Sequence, residues 1–204
     1  MKGFYINLEK RKDRKEKMEK LKQENPFFQN VQRFHAVLKL NGKIGCYLSH
    51  IHCLEKCLHL QGEYFLIMED DFFIDDSATF NRFLDDFPIL QKNKDWDIFL
   101  FTNSILRDNK LQPFSPHFNR IFNFQTTTGY IVRKSFIPTL LKNFREGLEL
   151  YLKTKKEIYC IDIHWKILQQ THTFISYHKR FVIQYPSYSD IEKKDVNYFR
   201  IKSG

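Results

Sequence analysis

No stretch of this sequence approaches the roughly 18 consecutive apolar residues that a membrane-spanning helix needs. The chain opens on a short strand-like run, without the apolar core of a secretory leader, so neither a span nor a signal peptide is expected. Cysteine is scarce. Cys46, Cys53, Cys57 and Cys160 fall well short of a disulfide scaffold. Three of them share one expected helix at unequal intervals, which is not a zinc-finger spacing. They read as buried free thiols of a reducing compartment. Repeats and low-complexity linkers are also missing, so 204 residues fit one domain with at most a modest appendage.

What is present supports a packed core. Hydrophobic residues make up 42% and aromatics 16%, with 21 Phe, which excludes a disordered chain. The formal charge is +9, from 33 Lys and Arg against 24 Asp and Glu. That balance favours an anionic partner: a nucleotide, a phosphorylated glycolipid, an anionic membrane surface or a nucleic acid. Much of the excess lies between Lys10 and Lys22, interleaved with acids, as on a solvated helix face. Basic residues that alternate with acids, without a recognised motif, make nucleic acid the least expected of these partners.

The stretch Phe65-Leu66-Ile67-Met68-Glu69-Asp70-Asp71 organises the rest. An apolar run without alternation suits a strand covered on both faces, as in a parallel sheet. Acids at the carboxyl end of such a strand sit where open α/β sheets put ligands. Three adjacent carboxylates repel one another, and a divalent cation would hold them together. Glu69 and Asp71 then face one side and Asp70 the other. The alternative is a solvated acidic turn.

Around that stretch the chain reads as alternating strands and helices. Residues 4–8 form a first strand, and 9–24, rich in helix formers and stopped by Asn25-Pro26, a helix. Arg11, Arg14, Met18 and Leu21 share one face of it. The two arginines either bury their stems and leave the guanidinium in water, or present forks to a phosphate or base. Residues 31–38 read as a strand and 46–60 as a packed helix. Gly45 at its entrance permits close approach by a ligand or another element. His50, in its first turn, reads as a structural group. Further on, a helix over 79–87 ends at Pro88, a strand covers 96–101, and 103–119 forms a long loop. Strands over 121–124 and 129–132 precede a helix over 136–151 capped by Ser135. A helix over 158–169 presents Ile158, Ile161, Trp165 and Leu168 to the core. Residues 174–184 form a final strand or ragged edge, and 185–204 a polar tail.

Several of these pieces carry a resemblance. Ile6-Asn7-Leu8 with Arg11 and Arg14, Arg33-Phe34-His35-Ala36-Val37, Gly45-Cys46-Tyr47-Leu48-Ser49-His50 and Met68-Glu69-Asp70-Asp71 follow one another in an order that resembles glycosyltransferase family 25. That family includes bacterial lipooligosaccharide galactosyltransferases and is related to collagen galactosyltransferases. Thr128-Gly129-Tyr130-Ile131-Val132 and Ser189-Asp190-Ile191 extend the likeness, more loosely, through the second half. The chain is short for the family, so some acceptor-side decoration is expected to be missing.

The resemblance implies a GT-A-like, nucleotide-binding α/β/α sandwich with a mostly parallel central sheet. One glycosyltransferase domain would cover 1–204, with 1–101 as the nucleotide-sugar half and 102–204 as the acceptor-side half and tail. It implies inverting transfer of a hexose, most concretely galactose from UDP-galactose, to a glycan, glycolipid or glycoprotein acceptor, with Mn²⁺ or Mg²⁺. Glu69-x-Asp71 would take the place of the family fold's Asp-x-Asp element. Asp71 is then the firmest metal ligand, Glu69 a direct or water-mediated one, and His178 or His172 a third. Donor contacts fall to Ile6, Asn7, Leu8, Arg11, Arg14, Glu69, Asp70 and Asp190, with Asp70 meeting the ribose or sugar hydroxyls. Asp162, an acid amid apolar residues, is the candidate catalytic base, with Asp190 behind it. Aromatic residues after Asn103 could form an acceptor platform. A cytoplasmic location, with peripheral contact at an anionic membrane face, fits the charge. The other reading is a non-catalytic nucleotide- or carbohydrate-binding relative of the same fold.

Overall fold

The computed structural model describes residues 1–102 and 109–197. In chain order the first half comprises β1 (Gly3–Asn7), α1 (Lys12–Glu24), β2 (Val31–His35), α2 (Gly42–His59), β3 (Tyr64–Glu69), β4 (Phe72–Ile74), α3 (Ser77–Lys92) and β5 (Ile98–Leu100). There follow β6 (Lys110–Ser115), β7 (Phe118–Phe122), β8 (Gly129–Arg133), α4 (Ile137–Thr154), α5 (Ile161–His164) and α6 (Leu168–Thr171). Four short strands complete the order: β9 (Phe174–Tyr177), β10 (Val182–Gln184), β11 (Ser187–Ser189) and β12 (Lys194–Val196).

Eight strands form the central sheet in the order β2-β1-β3-β8-β5-β9-β7-β6. β1 runs parallel to both β2 and β3, and β5 to β9, while β8 and β7 are inserted antiparallel. Six of the eight strands therefore point the same way. The unalternating run in β3 does what a doubly covered strand must. Phe65 and Ile67 enter a core with Tyr47 and Ile51 of α2, Leu140 and Phe144 of α4, and Ile161 of α5. Tyr64, Leu66 and Met68 enter a second core with Met18 of α1 and Phe80, Phe83 and Phe87 of α3. The result is the expected α/β/α sandwich with a mostly parallel sheet.

Several boundaries differ, each for a local reason. α1 starts at Lys12, because Arg11 N–H donates to the Leu8 carbonyl at 2.9 Å and winds the preceding residues into a turn. α2 starts at Gly42, where the Asn41 side chain accepts from the Lys43 amide at 3.0 Å. Gly45 therefore lies inside the helix, and a Cβ there would stand 2.4 Å from the Val37 carbonyl oxygen. The close approach that glycine permits is made by the chain itself.

α3 continues through Pro88 to Lys92. A proline inside a helix costs about 3 kcal/mol, and burial of Phe80, Phe83, Phe87 and Leu90 at about 1.5–3 kcal/mol each outweighs it. Of the expected loop over 103–119, residues 103–108 lie outside the described residues, and 110–122 form the β6–β7 hairpin. Its outer strand carries Pro113, which an edge strand tolerates, and mostly exposed side chains, so no alternation marks it.

Ser135 makes no cap. Phe136 holds that position for α4. The expected helix over 158–169 is broken into α5, α6 and intervening 3₁₀ turns, with Ile158 58% exposed while Ile161 and Trp165 are buried. The last strand is likewise divided: β10 leaves the main sheet and pairs with β4, opposing Gln184 to Phe72. The polar tail contains the β11–β12 hairpin. All four cysteines are free thiols, as expected. Among the described residues no helix is long and apolar enough to cross a membrane.

Candidate active site

The acidic turn stands where β1 and β3 end side by side, with Ile6 opposite Glu69 in the parallel register. Asn7, 1% exposed, is the first polar side chain on that edge. Its amide nitrogen donates to Asp70 Oδ2 at 2.7 Å and to the Arg11 carbonyl at 3.1 Å, while its oxygen accepts from Arg33 Nε at 2.9 Å. Arg14 closes the other side of Asp70, with Nη1 2.7 Å from Oδ1. Its second nitrogen donates to Ser187 Oγ at 2.7 Å and to the Tyr188 carbonyl at 3.0 Å, which ties the C-terminal hairpin to the turn. Burial raises the Asp70 carboxyl against the pull of Arg14 and Asn7.

Arg14→Ala should therefore be costly, since it leaves a buried Asp70 charge with Asn7 alone. Breaking a buried pair from one side costs about 3–5 kcal/mol, a fall of roughly 6–20 °C in a chain of this size. A thermal midpoint within a degree of wild type would show that water replaces the guanidinium.

Arg11 is occupied differently. It binds Asp13 through two nitrogens, the Tyr188 carbonyl at 2.9 Å and Asp190 at 3.0 Å. Asp190 also meets Lys10 at 2.5 Å. Burial pushes the Asp190 carboxyl up, but these two cations more than offset it and hold it below its ordinary value.

On the opposite side of the turn Glu69 faces inward. Thr127 Oγ1 donates to Glu69 Oε1 at 2.6 Å, and His50 Nε2 stands 3.3 Å from the same oxygen. His50 is wholly buried, lies flat against Tyr130, and has its Nδ1 3.1 Å from the Tyr130 hydroxyl. Burial alone would raise the Glu69 carboxyl. The bonds from His50 and Thr127, with the charge of Arg14, bring it below its ordinary value.

Asp71 has weaker compensation. Its Oδ1 is buried without a partner among the described residues, while Oδ2 receives a 3.5 Å contact from Gln184 and stands 3.8 Å from Arg14 Nη1. Burial and the neighbouring Glu69 charge push its carboxyl up to about 8. Asp162, on α5, accepts from the Thr126 amide at 3.2 Å. Burial and then the Glu69 charge raise it as well. Thr126 holds that amide in place at φ 84°, a left-handed conformation costly for a β-branched residue.

Of the residues singled out in the sequence, Asn7, Arg14, Glu69, Asp70, Asp71 and Asp162 converge. Ile6 and Leu8 flank Asn7, and Arg11 and Asp190 form the rim. His178 is not brought to Glu69 and Asp71. It sits against Tyr177, with Nδ1 3.0 Å from the His117 carbonyl, and lines a separate cavity beside Arg82 and Asp86. β9, which it follows, lies three strands from β3, because the antiparallel β8 and then β5 stand between them. His172 packs on Phe136 at the other end of β9.

Sequence reasoning missed Arg33, Thr127, Gln184 and Ser187, and read His50 only as structural. Only the threonine run before β8 carried a local signal. The others join the site through contacts between distant segments.

The model of a family described as Glycosyltransferase family 25 (LPS biosynthesis protein) matches residues 40–151, more than half of the chain. The matched span runs from the entrance of α2 into α4 and includes the acidic turn. No curated protein matches the chain. Among solved structures, a glycosyltransferase involved in the glycosylation of the major capsid of PBCV-1 is 12% identical, with 85% of this chain and 78% of that one covered, at a TM-score of 0.55. A mannose-1-phosphate geranyltransferase from Thermus thermophilus is 13% identical, with 87% of this chain covered, at a TM-score of 0.46. The chain spans 59% of the length of the latter. The first likeness identifies the sandwich as GT-A-like.

Proposed function

The chain belongs to glycosyltransferase family 25, and from that premise we propose that it moves a hexose, galactose from UDP-galactose, onto a hydroxyl of a glycan, glycolipid or glycoprotein, with inversion and with Mn²⁺ or Mg²⁺. One observation carries this reading. Half-buried Glu69, Asp71 and Asp162 converge at the carboxyl ends of parallel strands, and one Asp71 oxygen has no partner among the described residues.

That oxygen fits a hard cation. Both hydrogen bonds to Glu69 fall on Oε1, so Asp71 Oδ1 and Glu69 Oε2 are the atoms that would hold it. When bound, the cation neutralises the diphosphate that leaves the sugar. The chain's own groups do the rest. His50 and Thr127 orient the Glu69 carboxylate. Asn7 and Arg14 fix Asp70, which is left to the ribose or sugar hydroxyls. Asp162 takes the proton of the acceptor hydroxyl, and its raised affinity for protons makes it a better base once ionised. Arg11 reaches a nucleotide only by exchanging Asp190 or Asp13 for phosphate, so its role is conditional on that exchange. The basic surface suits a phosphorylated or membrane-borne acceptor.

A thermal-shift panel of UDP, GDP, ADP and CMP, each with and without Mn²⁺, tests the donor site. UDP at a hundred times its Kd should add about 2.7 kcal/mol, or roughly 5–10 °C, only when Mn²⁺ is present. A flat panel would remove the donor assignment. Release of UDP from UDP-galactose then separates an enzyme from a non-catalytic relative.

A further inference from the structure

A second set of donors lies behind the acidic turn. Cys46 and His50 are four residues apart on α2 and so share one helix face. With Glu69 they place a sulfur, a ring nitrogen and a carboxylate oxygen all within 4.8 Å of one another. Among the described residues no other trio of His, Cys, Asp or Glu meets that spacing. The 3.3 Å between His50 Nε2 and Glu69 Oε1 is the edge of a tetrahedron with metal–ligand distances of about 2.0–2.1 Å. A sulfur ligand needs about 3.6 Å along the same edges, so Cys46 has at most about 1.2 Å to travel.

We propose that Cys46, His50 and Glu69 bind a thiophilic divalent cation, with Zn²⁺ the fitting ion, and that its charge on Glu69 Oε1 weakens a second cation on Oε2 at the sugar-nucleotide site. The second half of that statement rests on the function proposed above. The donor set decides the ion: thiolate with imidazole selects Zn²⁺, while Mn²⁺ and Mg²⁺ favour oxygen. His50 is already held as metal-bound histidines are. Glu69 can only accept, so Nε2 carries the proton and Nδ1 accepts from Tyr130. On metal binding the ring changes tautomer, Nδ1–H donates to the Tyr130 oxygen, and the Nε2 lone pair turns to the cation. The ring need not move, being stacked on Tyr130 and edged by Phe144.

Glu69, Asp162 and Asp71 add negative charge around the Cys46 sulfur, and solvent would supply a fourth ligand. Burial keeps the thiol protonated and inert until a cation displaces that proton, which leaves to solvent. Cys46 and Glu69 are both partly exposed, which gives an ion a way in.

Co²⁺ alone is the first probe. One equivalent should give a thiolate-to-cobalt charge-transfer band that Zn²⁺ erases. Cys46→Ser should lose the band and weaken Co²⁺ binding about a hundredfold or more, whereas Cys160→Ser should keep both. Absence of the band, or its survival in Cys46→Ser, overturns the site. Zn K-edge absorption on the wild-type protein needs no variant: one sulfur at about 2.3 Å supports the site, and nitrogen and oxygen ligands alone refute it. The coupling is read separately. One equivalent of Zn²⁺ should erase most of the UDP and Mn²⁺ stabilisation in wild type and little of it in Cys46→Ser; equal losses overturn the coupling. A protein that binds Co²⁺ but ignores UDP would overturn the proposed function and leave the Cys46 site standing.

Discussion

Asp71→Asn is expected to abolish sugar transfer and, in the same protein, to raise the thermal midpoint at pH 8. The Asp71 carboxyl is pushed up to about 8 in the folded chain, against an ordinary value of 3.8. A carboxyl raised on folding destabilises the native state when it ionises. The penalty is absent below about pH 4, grows as pH climbs toward 8, and is constant above it. Asparagine cannot ionise, so the variant should escape a penalty of about 2–4 kcal/mol. That corresponds to roughly 4–16 °C at pH 8 and nothing at pH 4. The same substitution removes the negative charge that would hold the cation. Mn²⁺ should then no longer restore stability, as it should in wild type. Equal midpoints at pH 8 would mean that Asp71 is already compensated, and full turnover in the variant, or in excess EDTA, would end the metal assignment.

Asp162→Asn should separate chemistry from binding. Losing a general base costs about 10²–10⁴-fold in rate. The stabilisation by UDP and Mn²⁺ should hold to within a degree, because an asparagine oxygen still accepts from the Thr126 amide. Wild-type activity should rise with pH through the raised Asp162 titration, and the residual activity of the variant should lack that limb. An unchanged rate would move the base elsewhere. Asp190 is a poor substitute, since Lys10 and Arg11 already hold its charge and keep its proton affinity low.

How much of this was legible in the sequence depended on the range of the interaction concerned. β3 and its carboxylates could be read because burial on both faces leaves an unbroken apolar run that ends where the chain meets solvent. Asp162 stood out as an acid between isoleucines. Pro88 misled, because the local rule for proline knows nothing of the aromatic core that holds α3 together on both sides of it. β6 was missed because an exposed edge strand with a proline has no burial pattern to report. The partners of the carboxylates were hidden for a different reason. His50 and Glu69 are 19 residues apart, and Arg14 and Asp70 are 56 apart. Such pairings impose no period on either segment. His178 was nominated by family habit, and the two antiparallel strands between β3 and β5 and between β9 and β6 show how far local reading is from sheet order.

The tie between Arg14 and the β11–β12 hairpin joins residues 173 and 174 positions apart. Asp71 depends on the same late segment, since its carbonyl accepts from the Tyr185 amide at 2.7 Å. On a ribosome adding about 5–20 residues per second, β1, α1 and the acidic turn emerge many seconds before these neighbours. During that interval the nascent chain carries three crowded carboxylates without the contacts that Gln184, Tyr185, Ser187 and Tyr188 supply. Translation must therefore pass Tyr185 and Ser187, and these residues must clear the ribosome, before the carboxylate turn is enclosed.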